Sequence, residues 1–181
     1  MTEPDHAPGI DWGAARLAIL AAARRSGTDR DAIIAAVDLL TLPGPPWVIA
    51  VAAGKLVREV ASRQGQPVTD TTPDTETLAF TLAQARGAIG HGVGQGQIAL
   101  SDARVMLAVL KLALAPSHDD AVALAREFHD RFGFLDTVEV ALSGAQLIAM
   151  IAALDDGNAQ PLLDALVVET LEYQLTEGNP Q

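Results

Sequence analysis

The side chains best suited to acid–base or metal chemistry in this chain are three histidines, His91, His118 and His129. His118 and His129 bracket its most polar stretch, which also holds Asp119, Asp120, Glu127 and Asp130. Imidazoles beside carboxylates are the raw material of a metal site or a general acid–base pair. Spacing argues against both here. On one helix the two histidines, eleven residues apart, are separated by roughly 16 Å along the axis. Ligand pairs on a helix sit three or four residues apart instead. Asp119 and Asp120 suit the positive end of a helix dipole, and Glu127 to Arg131 has the spacing of a surface ion pair. A solvated polar face is therefore expected, and no metal site. His91 lies in Gly87–Gln97, where no second polar group accompanies it. The three histidines remain candidates only for a ligand pocket between the two halves of the chain.

Other catalytic signatures fail on composition or spacing. The glycine segment lacks the Lys-Ser or Lys-Thr of a phosphate loop and misses the dinucleotide-binding spacing. There is no Gly-x-Ser-x-Gly elbow, and the repeated Glu-x-x-His of a di-iron bundle is absent. With no cysteine, thiolate chemistry, disulfides and zinc–thiolate sites are excluded. No catalytic residue is nominated and no cofactor is expected.

The formal charge of −11 comes from 23 acids against 12 bases, and Lys55 and Lys111 are the only lysines. A net negative chain is repelled by phosphate backbones and anionic lipid, so neither nucleic acid nor membrane is an expected partner. The arginine preference, with abundant alanine, glycine and proline, fits a high-GC bacterial or phage genome. Residues 1–10 lack the basic and apolar regions of a signal peptide. The longest apolar runs, Pro45–Gly54 and Val140–Leu154, fall short of the ~20 residues of a membrane span. A soluble, cytoplasmic protein is the expectation.

These residues must be positioned by helices. Alanine and leucine dominate, and aromatic residues make up 4%, which favours closely packed helices over sheet. The fold class is all-α, about eight helices in a bundle. The first opens at Asp11 and ends at Arg24–Arg25, the second opens at Thr28–Asp31 and ends before Pro43-Gly44, and the third follows Pro45-Pro46. A fourth runs from Asp74 to about Ala88. The glycines of 87–97 are expected to break it, because each costs roughly 0.5–1 kcal/mol in a helix. Four more are expected at 102–115, 118–131, 137–154 and 159–176. The organisation is a flexible acidic terminus (1–10), a helical unit (11–90), a glycine-rich linker (91–97) and a second helical unit (98–177), which could share one core.

The two units carry matching features. Ala15-Arg16-Leu17 matches Ala103-Arg104-Val105, Thr28-x-x-Asp31 matches Ser117-x-x-Asp120, and a mid-helix Gly54 matches Gly144. The intervals from 15 to 103, 28 to 117 and 54 to 144 are 88, 89 and 90 residues. Tandem duplication of a four-helix unit would produce this. So would the family likeness of any alanine-rich helices, and both origins stay open.

The last helix is the main candidate surface. Leu162, Leu163, Leu166, Val167 and Tyr173 fall on one arc and Asp164, Glu169 and Glu172 on the other. Residues 155–181 contain no basic residue. A core-facing helix with an acidic outer side explains the pattern; so does a docking face for a basic partner, formed by Asp164, Glu169, Glu172 and Tyr173. Trp12 and Trp47 suit core packing or an interface anchor. The leading functional expectation is a non-catalytic interaction module (adaptor, chaperone or assembly factor) with a protein partner, and homo-oligomerisation is compatible with it. Alternatives are a small-ligand-binding helical protein or unrecognised enzyme, and an acidic mimic of DNA.

Overall fold

A computed structural model describes residues 11–25, 47–66, 74–132, 137–154 and 158–177. These form seven α-helices and no strand: α1 (Trp12–Arg24), α2 (Trp47–Ser62), α3 (Thr75–Gly94), α4 (Leu100–Ala113), α5 (His118–Phe132), α6 (Thr137–Ala152) and α7 (Gln160–Glu177). The expected helix after Thr28 lies outside the described residues.

Local chemistry sets the helix starts. The Asp11 carboxylate accepts the Ala14 N–H at 2.8 Å and opens α1. Asp74 opens α3, accepting from the Glu76 N–H at 3.0 Å and the Thr77 hydroxyl at 2.6 Å. These bonds hold the Asp74 carboxyl below its ordinary 3.8, the Thr77 hydroxyl contributing most. At α5 the Ser117 hydroxyl accepts the Asp120 N–H at 3.1 Å and donates to the Asp120 carboxylate at 2.6 Å, so the capping residues read from sequence close on each other.

The glycine segment departs from expectation. α3 does not stop at Ala88; it continues to Gly94, so the 91–97 linker is helical over its first four residues. Gly87, Gly90 and Gly94 face open space, and Ile89, between the first two of them, is buried. Tertiary packing of that buried side outweighs the poor propensity of the exposed one. The chain turns immediately afterwards. Gly96 takes φ +69°, and the N–H groups of Gly96 and Gln97 bond the carbonyls of Val93 at 3.0 Å and Gly92 at 2.8 Å. This Schellman closure requires a left-handed residue, which glycine adopts without penalty. Ile98 then folds back over Gly92, where a β-carbon would lie 2.6 Å from its Cδ1.

α2 is the central helix and packs against α1, α3, α4, α5 and α6. Its sequence is apolar around most of its circumference, as a helix enclosed on several sides must be. Val48 to Ala53, Leu56, Val57, Val60 and Ala61 are all buried. At Gly54 an added β-carbon would sit 2.6 Å from Leu112 Cβ and 3.2 Å from the Leu112 backbone carbon, so α4 crosses where only glycine leaves room. Gly144 gives α6 a similar approach, its absent β-carbon 3.1 Å from Ala53 Cβ. Both mid-helix glycines thus mark close helix contact.

The packing partners form a paired pattern. α1 packs on α2, α6 and α7; α4 packs on α6, α2 and α3, and also on α5; α2 also meets α3, as α6 meets α7. Helices from both sides of the glycine segment share one hydrophobic cluster, in which Ile19, Leu20, Leu56, Ile89, Leu147, Ile148, Leu163 and Leu166 are among the buried members. Among the described residues, no helix is long and apolar enough to cross a membrane.

Candidate functional site

Two features remain once the core is accounted for: a polar cleft on α2 and the outward side of α7. The cleft begins with spacing. Lys55, Arg58, Glu59 and Ser62 recur at helical intervals and form the polar edge of an otherwise apolar helix, and Arg63 follows directly after its last residue. With Asp74, Thr75 and Leu78 from the start of α3 they line a cavity of about 250 Å³.

Part of that edge is an ion network that crosses three helices. Arg16 of α1 meets Glu59 at 2.6 Å, Glu59 meets Arg63 at 3.8 Å, and Arg63 makes a fork to both carboxylate oxygens of Glu169 on α7 at 3.1 and 2.9 Å. The Arg16 Nε also donates to the buried Thr170 hydroxyl at 2.7 Å, which itself donates to the Leu166 carbonyl at 2.7 Å. Two cations and two anions alternate, so the network is neutral. The Arg63 side chain is only 5% exposed, and a charge so placed is tolerable because its partners are fixed around it. Of these pairings only Glu59–Arg63 has the spacing of helical neighbours, and the others join residues far apart in the chain.

Arg58 is held differently. One nitrogen, Nη1, donates to the carbonyls of Ala113 at 3.3 Å and Ala115 at 2.9 Å, at the C-terminal end of α4. The side chain is exposed and its orientation is set by the neighbouring helix.

On α7, Leu163 and Leu166 are buried against the core, whereas Val168, Leu171 and Leu175 are 52%, 45% and 76% exposed. These three fall at i, i+3 and i+7 on the side away from the core. The helix therefore carries, beside its acidic residues, an outward apolar stripe in addition to the inward one. Of the acidic residues nominated for this surface, Asp164 is bound to Arg24 at 2.9 Å and to the Gln160 amide at 2.7 Å, and Glu169 to Arg63. Glu172 is exposed, and Tyr173 is exposed rather than on the buried arc with Leu163 and Leu166.

The candidate histidines occupy separate places. His91 is exposed in the last turn of α3. His118 opens α5, its ring edge-on to Trp12 with centroids 5.1 Å apart. His129 is half-buried eleven residues further along α5. Among the described residues, no three His, Asp or Glu side chains are grouped to hold a metal ion. Trp12 and Trp47 are partly buried against the core with ring centroids 6.5 Å apart. Arg126 lies 4.6 Å from the Trp47 ring centre and Lys55 5.5 Å from that of Trp12.

Compared with protein-family models, curated proteins and solved structures, the chain matches none.

Proposed function

We propose that this chain is a non-catalytic helical interaction module, and that the outward side of α7 docks a basic amphipathic segment of a protein partner. The observation carrying the reading is the exposed stripe Val168, Leu171 and Leu175 on a helix whose other side is already used by the core. Contiguous apolar side chains on a surface are characteristic of contact sites. Charge selects the class of partner. The stripe runs beside exposed Glu172, and residues 155–181 carry no cation of their own. A lysine- or arginine-bearing amphipathic helix would cover the leucines and complement the acid. The role attached to Asp164 and Glu169 narrows accordingly, because both already meet arginines within the molecule.

The test uses the intact protein and a synthetic amphipathic helical peptide of leucine and lysine, followed by fluorescence anisotropy. Binding is expected to weaken with salt and to fall about tenfold or more in L171S/L175S, a loss of roughly 1.4 kcal/mol or more. Equal binding by the variant would overturn the proposal. So would a self-associated protein, seen by sedimentation, that the same variant returns to monomer, since the occupant would then be a second copy.

The paired packing pattern also supports tandem duplication of a helical unit as the origin of the chain. Exchanging α1 with α4, α2 with α6 and α3 with α7 converts α1–α2 into α4–α6, α1–α6 into α4–α2, α1–α7 into α4–α3, and α2–α3 into α6–α7, and each of these contacts is present. The exchange leaves α2–α6 unchanged, placing Gly54 and Gly144 on the central pair.

A further inference from the structure

We infer that the outward side of α4 docks an acidic amphipathic helix of a partner protein, independently of the α7 surface. Every exposed residue from Leu100 to Leu114 except Ser101 lies on one face: Leu100, Arg104, Leu107, Lys111 and Leu114. The three leucines are 61%, 37% and 59% exposed and recur every seven residues, with a cation four residues after each of the first two. That is the pattern by which one helix recognises another, the leucines interdigitating and the flanking charges choosing the partner. The only acid of α4, Asp102, lies on the opposite side, two residues from Leu100, and accepts from the Ser101 hydroxyl at 3.4 Å. Among the described residues no acid pairs with Arg104 or Lys111. The Lys111 ammonium lies 5.9 Å from the Phe128 ring centre, a contact that leaves its charge in place. In a protein of net charge −11 this stripe is apolar and cationic, and it selects an anionic occupant.

A second copy of the chain fits the stripe poorly. Two α4 stripes would face cation to cation, whichever way the helices run, because the stripe carries no acid. The outward stripe of α7 has the right sign but not the length. From Val168 to Leu175 it spans roughly 10 Å, against roughly 21 Å from Leu100 to Leu114. It covers half of the α4 stripe and leaves a leucine exposed. A helix of about four turns matches the full length. With leucines at seven-residue spacing and glutamates beside them, it covers all three leucines and reaches both cations. Anionic lipid is the weaker occupant, since two cations attract a membrane little against the protein's overall charge.

The experiment titrates the intact protein into a fluorescein-labelled helical peptide of leucine and glutamate, leucines every seven residues, with anisotropy as the readout. Saturable binding that weakens with salt is expected. Leu107→Ser should weaken it about tenfold, or about 1.4 kcal/mol. Leu107 is the least exposed of the three leucines, so the exposed Arg104→Glu supplies a second variant. It should weaken binding severalfold while the circular dichroism and the urea midpoint stay unchanged. L171S/L175S, which alters only the α7 stripe, should bind this peptide as the parent does; a loss there would place the acidic peptide on α7 and overturn the inference. Absent binding, or equal binding by both α4 variants, would also overturn it. So would self-association that Leu107→Ser abolishes, which would make the occupant a second copy, or binding to phosphatidylglycerol vesicles lost in the same variant, which would make it a membrane.

Discussion

At the scale of single residues, the most consequential group is Arg63, a guanidinium with a 5% exposed side chain between two carboxylates. Glu169 supplies the better bond of the two, two-pronged at 3.1 and 2.9 Å against 3.8 Å from Glu59. Replacing Glu169 with glutamine keeps the shape, removes the charge and leaves Arg63 donors without an adequate acceptor. The expected destabilisation is about 1–3 kcal/mol, read from the denaturant midpoint at constant slope. A shift near zero would mean that water or Glu59 takes over the pairing. The chain announces only one pairing in this network, because i,i+4 neighbours are fixed by helix geometry alone. Arg16 and Glu169 reach Glu59 and Arg63 through the way α1, α2 and α7 cross, which no local pattern encodes. For the same reason the arginine-lined cleft was invisible in sequence although its four α2 residues and the adjoining Arg63 share an obvious helical spacing.

At the scale of elements, α3 shows where propensity and packing disagree. Propensity ends the helix near Ala88; the buried side chain of Ile89 and the turn at Gln95–Gln97 carry it to Gly94. The exposed glycines are then a liability that substitution can remove. At Gly87 and Gly90 a β-carbon meets no atom within 4 Å. G87A and G90A should each stabilise the protein by about 0.5–1 kcal/mol. Gly96→Ala should do the opposite by about 1–2 kcal/mol, because alanine would be held at φ +69°. Thermal and urea unfolding of the three variants check both signs, and a destabilising G90A would show that the segment prefers a non-helical state. Most other helix limits were legible because aspartate and serine caps act within four residues of where they stand. The inward arc of α7 was legible, since Leu162, Leu163, Leu166 and Val167 pack on the core. Tyr173 does not join them, and the second apolar arc, Val168, Leu171 and Leu175, is left outside by the crossing with α1 that the Arg16–Thr170 and Arg24–Asp164 contacts mark.

At the scale of the molecule, the question is whether residues 11–90 and 98–177 behave as two bodies or one. The all-α class followed from composition, but the relation between the halves depends on contacts between distant segments. α2 packs on α4, α5 and α6, α1 on α6 and α7, and α3 on α4 and α6, so none of the described helices of the first half buries its core face within that half alone. The close approaches at Gly54–Leu112 and Gly144–Ala53 are likewise both between halves. Such an arrangement should unfold cooperatively, since opening one half exposes apolar surface of the other. The sequence provides the means to test this, because both tryptophans, Trp12 and Trp47, lie in the first half whereas helices fill both. Tryptophan fluorescence therefore follows the first half, and far-ultraviolet circular dichroism follows all the helices. The two urea transitions should coincide in midpoint and slope. Separate midpoints, with fluorescence changing before or after half of the dichroism, would mean that the halves unfold independently. Gly54→Ala sharpens the comparison: overpacking at the α2–α4 crossing should cost about 1–3 kcal/mol, and in a single cooperative unit both signals must move together by the same amount.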